Sequence, residues 1–147
     1  MKKSISFSTK YGWISAIEEK GKIIEIKFFK TNNVGKSLIL ERLKKTIDKY
    51  FSKKITSFNF PLKVNGSILQ KKIWKELKKI PYGKTKSYGE IAKLVNTSPR
   101  YVGNVCGQNK HVLVVPCHRV IKTDGGLGGF SGTGGIVLKK KLLKLER

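Results

Sequence analysis

Several things are scarce in this sequence, and each shortage removes a class of protein. Its 147 residues hold two cysteines, Cys106 and Cys117, without a Cys-x-x-Cys spacing. That excludes a disulfide framework and a cysteine-rich zinc module, and it favours a reducing compartment. No apolar run approaches the roughly 20 residues that cross a bilayer. The opening MKKSISFSTK has no apolar segment of the kind found in secretory signals. A cytoplasmic chain with no membrane partner is expected. Acidic residues are few, nine Asp and Glu against 32 Lys and Arg, for a formal charge of +23. Such an imbalance calls for an anionic partner, nucleic acid first and an anionic membrane surface second. Arginine is also scarce (Arg42, Arg100, Arg119 and Arg147), so a general lysine bias with a solvated basic surface would explain the same charge. What is present, 39% apolar and 10% aromatic residues, is enough for a packed core in one domain or two small subdomains.

Residues 4–29 alternate apolar and polar positions around turns at Lys10-Tyr11-Gly12 and Glu19-Lys20-Gly21-Lys22, which predicts a small antiparallel meander. Between 37 and 51 the period changes. Leu38, Leu40, Leu43, Ile47, Tyr50 and Phe51 recur at helical spacing with lysines between them. From Ser67 a second helix sets Ile68, Leu69, Ile73, Trp74, Leu77 and Ile80 against a face of Lys71, Lys72, Lys75, Lys78 and Lys79, and Pro81-Tyr82-Gly83 stops it. Ser87 with Glu90 forms a capping box for a helix over Tyr88 to Val95. Ser98 followed by Pro99 opens another, to about Gly107. Two short helices joined at Asn96-Thr97 read as a helix-turn-helix, a weak motif by itself that the charge strengthens. Residues 124–135 hold seven glycines in twelve positions. A Leu-rich helix from Ile136 to Arg147 closes the chain. The expected fold is α+β: a small N-terminal antiparallel sheet plus helix, then a helical C-terminal subdomain with a winged-helix-like helix-turn-helix. The division falls into 1–62 and 63–147.

Cys117 is the candidate nucleophile. His118 and Arg119 follow it, and imidazole or guanidinium beside a thiol raises its thiolate fraction. A packed, inert cysteine among Val114, Val115 and Val120 fits the same stretch. Neighbours on a strand point to opposite faces, so Cys117 and His118 can cooperate only across a turn. Cys106, between Val105 and Gly107 in a helix, reads as core or groove lining. Cys106, Cys117, His111 and His118 lack structural-zinc spacing, so no metal is expected. The glycine segment lacks the GxxxxGK[ST] of a phosphate-binding loop.

Pro116-Cys117-His118-Arg119-Val120 resembles the active-site signature of the O6-alkylguanine-DNA alkyltransferases (methylated-DNA-protein-cysteine methyltransferases). Other segments are similar in the same order. They are Tyr82 to Ala92, Ser98-Pro99-Arg100-Tyr101-Val102-Gly103, Asn109 eight residues before the cysteine, the glycine segment through Phe130-Ser131-Gly132, and the last helix with Glu146. The likeness covers about residues 67–147. It implies that residues 1–62 form the family's RNase H-like α/β subdomain. It implies that Cys117 accepts the alkyl group, His118 takes the thiol proton through a water, and Glu146 orients His118. Tyr88 would donate to the guanine ring, and Ser131 would wall the pocket near O6. Backbone carbonyls of Cys117 and Val120 would receive the exocyclic amine. Ser98, Arg100, Tyr101, Asn109, Arg119 and Ser131 would form the DNA-binding set, with Arg100 entering the base stack as the target nucleotide is flipped through the minor groove. Asn109 would also serve as a hinge. The product would be a thioether, so each chain would act once, as a monomer on double-stranded DNA containing O6-alkylguanine and without a cofactor. The resemblance leaves O4-methylthymine open. Phe130 stands where many members have tyrosine, the segment 130–135 is about two residues longer than usual, and the N-terminal zinc ligands of some members have no counterpart.

Three other readings compete. An alkyltransferase-like protein that only binds lesions would lack the nucleophile that Cys117 supplies. A basic helix-turn-helix regulator would need base readout, for which Arg100 is the sole arginine in the recognition helix. A cysteine hydrolase would turn over.

Overall fold

Glycine-bearing turns set the first architecture. Strands β1 (Lys2–Thr9), β2 (Gly12–Glu19) and β3 (Lys22–Lys27) pair antiparallel in the order β1-β2-β3, with a register shift between Ile17 and Glu18. Ile5, Phe7, Ile14, Ala16, Ile23 and Ile26 are buried. Helix α1 (Leu38–Phe51) starts at Ser37, whose hydroxyl accepts the Leu40 N–H, and buries Leu40, Leu43, Ile47, Tyr50 and Phe51. Both outer strands are covered. Ser4 and Val34 exchange two 3.0 Å backbone hydrogen bonds beside β1, and Ile23 pairs with the Pro61–Lys63 segment beside β3. Such cover shortens the free sheet edges that invite aggregation. The computed structural model describes residues 1–129 and 135–147. It contains two compact units, Met1–Val64 and Asn65–Arg147.

The second unit is built from capped helices. In α2 (Ile68–Lys78) Ser67 and Gln70 form a capping box, and the Trp74 indole donates to the Val105 carbonyl at 3.1 Å. Ile68, expected on the apolar face, is exposed at the first helical position, and the helix ends at Lys78 with Lys79 as its cap. The Ser87–Glu90 capping box opens α3 (Tyr88–Val95), and Asn96 closes it in the left-handed region at φ 59°. Ser98 accepts from the Tyr101 N–H and Pro99 takes the first position of α4 (Pro99–Gly107). These two helices are the helix-turn-helix. A short parallel pair joins β4 (Lys86–Ser87) to β5 (Val120–Ile121). The closing helix is α5 (Gly135–Leu145). The α+β arrangement is the one expected. No helix among the described residues is long and apolar enough to cross a membrane.

Candidate active site

The stretch before the cysteine does not extend as a strand. Pro116 has no N–H to give a ladder. Val112 to Val114 turn instead, with the buried Leu113 held at φ 72°. Cys117–Arg119 then form one 3-10 turn, closed by the Arg119 N–H to the Pro116 carbonyl at 3.0 Å. Cys117 and His118 therefore sit on the turn that their cooperation requires. Asn109, just past α4, braces this turn. Its Nδ2 donates to the Val115 carbonyl at 2.8 Å and to Cys117 Sγ at 3.2 Å, and its Oδ1 accepts from the His111 N–H at 2.9 Å.

His118 is fully buried. Its Nε2 lies 2.6 Å from Glu146 Oε2, while Nδ1 has no hydrogen-bond partner among the described residues. Burial pushes the imidazole pKa below 6.5, and the Glu146 contact only partly offsets this. A neutral ring whose Nε2–H donates to the carboxylate carries its lone pair on Nδ1. Glu146 is clamped from the other side. Arg119 donates from Nε to Oε1 at 2.8 Å and from Nη2 to Oε2 at 3.0 Å, and its Nη1 reaches the Ile80 carbonyl at 2.8 Å. A weaker 3.4 Å contact comes from the Gly83 N–H. Gly83 has φ 79°, and a Cβ there would stand 2.9 Å from the Glu146 carbonyl oxygen, so glycine is required for this approach. The penultimate residue of the chain is thus held inside the protein.

A second buried cation organises the opposite wall. Lys139, on α5, has no exposed surface, and its Nζ donates to the carbonyls of Val120 at 2.6 Å and Gly129 at 3.0 Å and to Tyr88 Oη at 3.3 Å. Desolvation lowers its pKa, opposed by the charges of Cys117 and Cys106. Burial first, then the same two sulfurs, pushes the Tyr88 phenol up to about 12, so it remains a proton donor at neutral pH. The glycine segment closes over this ring. A Cβ at Gly128 (φ 70°) would fall 2.6 Å from Tyr88 Oη, which only glycine avoids. Sequence reading passed over Lys139. Its signal was present, because Leu138, Lys139, Leu142, Leu145 and Glu146 share one buried stripe, and a lysine on an apolar stripe must find partners.

Beside Cys117 and Tyr88 lies a pocket of about 390 Å³, lined by Tyr88, Pro99, Gly103, Cys106, Gly107, Cys117, Lys122, Gly128 and Gly129. Burial, then the charge of Cys117, pushes the Cys106 thiol up to about 12, so Cys106 lines the groove as a neutral thiol. The structure brings Cys117, His118, Tyr88 and Glu146 into one unit. Arg100 stands exposed at the second position of α4, beside the capping hydroxyl of Ser98 and the half-buried Tyr101. Two expected DNA contacts are corrected. Arg119 is buried, with its guanidinium committed to Glu146 and Ile80, and Asn109 is buried beneath Cys117. Neither side chain is presented outward. The Val120 carbonyl, expected to receive a guanine amine, already accepts from Lys139. Ser131 and Phe130 lie outside the described residues.

Residues 68–147 match the family model described as 6-O-methylguanine DNA methyltransferase, DNA binding domain. A methylated-DNA-protein-cysteine methyltransferase of Metallosphaera sedula is 36% identical over 146 residues, covering 96% of this chain and 90% of the relative. The crystal structure of the Mycobacterium tuberculosis O6-methylguanine methyltransferase superposes with a TM-score of 0.88 at 30% identity, covering 99% of this chain and 93% of that one. The M. tuberculosis OGT in complex with DNA gives the same TM-score at 31% identity, over 97% and 91% of the two chains.

Proposed function

Because the chain belongs to the 6-O-methylguanine DNA methyltransferase family, and so is a methylated-DNA-protein-cysteine methyltransferase that repairs O6-methylguanine in DNA, we propose that Cys117 is its methyl acceptor, driven by His118, Glu146 and Tyr88. His118 Nδ1 takes the thiol proton through a water, and Glu146 steadies the imidazolium that results. Arg119 donates twice to Glu146, which holds the carboxylate in place to orient the ring. Asn109 Nδ2 holds the thiolate. Sulfur attacks the methyl carbon in line, the S–C bond forms as the C–O6 bond breaks, and the electron pair returns to the purine. Tyr88, fixed by Lys139, passes its proton to the ring nitrogen as negative charge builds there, the base leaves as neutral guanine, and the proton that His118 took from the thiol returns through water to the phenolate. The thioether is not reversed by thiol exchange, so each chain acts once and needs no cofactor.

The target atom lies inside stacked DNA, so the nucleotide is flipped into the pocket. Arg100 fills the gap in the stack. Ser98, Tyr101 and the N-terminal end of α4 meet the backbone in the minor groove, where contacts of shape and charge suit a protein that must find a lesion in any sequence. The protein acts as a monomer on duplex DNA. A nucleophile kept as free thiol suits the reducing cytoplasm.

The observation that carries this reading is the 2.6 Å His118–Glu146 contact on the turn that opens Cys117 to the pocket. Incubating the protein with duplex DNA containing O6-methylguanine and mapping the intact mass tests it. One methyl group on Cys117, absent in Cys117→Ala, is expected. A methyl group on Cys106, or a Cys117→Ala chain that still gains one, would refute it.

A further inference from the structure

We propose that the Met1–Val64 unit carries a second nucleic-acid contact, a stacking platform for single-stranded DNA built on Trp13 and Phe29. Among the large apolar side chains that remain exposed in the described residues, these are the two aromatic ones, Trp13 at 40% and Phe29 at 53%. They stand together. The β2–β3 register pairs Ser15 with Lys27 and Ala16 with Ile26, and two residues further along lie Trp13 and Phe29. Strand alternation puts Trp13, Ser15 and Lys27 on one face, with Ser15 itself buried, opposite the buried Ile14, Ala16 and Ile26, and Phe29 follows in the bend after β3, exposed beside the buried Phe28.

Each ring has a lysine over it. Lys30 Nζ lies 4.4 Å from the Trp13 centroid and Lys27 Nζ 5.3 Å from that of Phe29. Lys10 belongs to the turn that leads into β2. Glu25, 3.6 Å from Lys27, lies further along β3 and bounds the platform. Residues 1–64 carry 15 Lys and Arg against five Asp and Glu, so the unit is itself strongly basic. A lone exposed aromatic residue needs no explanation. Paired aromatic faces at strand spacing, each with an ammonium above it, offer what a single strand requires: π surfaces for successive bases and cations for the phosphates between them. On binding, bases take the ring faces and the ammonium groups move to phosphate. Duplex DNA hides its base faces and gains only the charge, so the platform discriminates strandedness.

The test uses the full chain and fluorescein-labelled oligothymidylate of 16 nucleotides, read by anisotropy at one fixed salt concentration. Base–aromatic stacking is worth roughly 5- to 150-fold per base at the tenfold-per-1.4 kcal/mol conversion. Trp13→Ala with Phe29→Ala is therefore expected to weaken oligothymidylate binding at least tenfold, undamaged duplex binding less than twofold, and methyl transfer from free O6-methylguanine not at all. An unchanged far-ultraviolet circular dichroism spectrum and urea midpoint show that the Met1–Val64 unit of the doubly substituted chain is folded, and a lost fold with the single-strand loss confined to that variant and absent in Trp13→Phe overturns the stacking role. Trp13→Phe should keep binding within about threefold. Less than twofold loss on the single strand, or equal losses on single strand and duplex, would overturn the proposal. Tighter binding of oligouridylate than of oligothymidylate would overturn its assignment to DNA. The readout is binding alone, so its failure is distinct from any failure of Cys117 as acceptor.

Discussion

Glu146→Gln removes one charge and almost no volume, and the surroundings of this carboxylate set the expected cost. Its two oxygens receive His118 Nε2 at 2.6 Å, Arg119 Nε at 2.8 Å and Nη2 at 3.0 Å, and the Gly83 N–H at 3.4 Å. All of these groups donate. A glutamine offers one carbonyl oxygen, and in either amide orientation its NH2 faces a donor. The Arg119 guanidinium, buried with the carboxylate, is left without a counter-charge. Removing one partner of a buried pair costs about 3–5 kcal/mol, a large share of the ~5–15 kcal/mol that holds a domain folded. With a urea slope of about 2 kcal/mol per molar, the unfolding midpoint should fall by roughly 1.5–2.5 M. Methyl transfer, measured where the variant is still folded, should slow by about 10²–10⁴, the range for a lost proton-transfer device. Arg119→Met removes the other charge. Combined with Glu146→Gln it should cost well below the sum of the two single changes, by more than about 1 kcal/mol. A midpoint shift under about 0.3 M, or strict additivity of the two changes, would refute the reading of Glu146 as the hub of a buried charge network.

The flipping role of Arg100 predicts that Arg100→Ala slows repair of O6-methylguanine in duplex DNA at least tenfold more than reaction with the free base, measured as single-turnover rates; equal losses count against it. His118 predicts a pH effect of definite sign. Its folded pKa lies below 6.5, so between that value and 6.5 the unfolded chain binds more protons than the folded one, and stability rises with pH. Lowering the pH from 7.5 to 5.5 should reduce the urea midpoint, with a slope of at most about 1.4 kcal/mol per pH unit, and His118→Gln should flatten the dependence. A midpoint that rises on acidification contradicts a neutral buried imidazole.

Local chemistry was legible before any coordinates. The capping residues Ser87 and Ser98, Pro99 at a helix start and the turn at Asn96-Thr97 act within one or two turns of chain, and the helices begin and end where those residues direct. The glycine-bearing turns of the meander are local in the same way. The Pro-Cys-His-Arg-Val segment points to Cys117 and His118 as the proposed nucleophile and base, because the two are adjacent in sequence.

The tertiary structure decided which way the charges face. Arg119 is next to His118 in sequence, yet its burial follows from Glu146, 27 residues away, and from the Ile80 carbonyl, 39 residues away in the other direction. Asn109, expected both as a hinge and as a DNA contact, is buried and braces the cysteine, since its partners come from a turn whose path a sequence pattern does not contain. Lys139 lies in a run with Lys140 and Lys141. It became a buried link between Tyr88, Val120 and Gly129 only when α5 packed against the Cys117 turn. A sequence records which groups can be charged and the periodicity of its helices. Whether a charge meets water or a counter-charge depends on what packs against that face, and packing joins residues tens of positions apart.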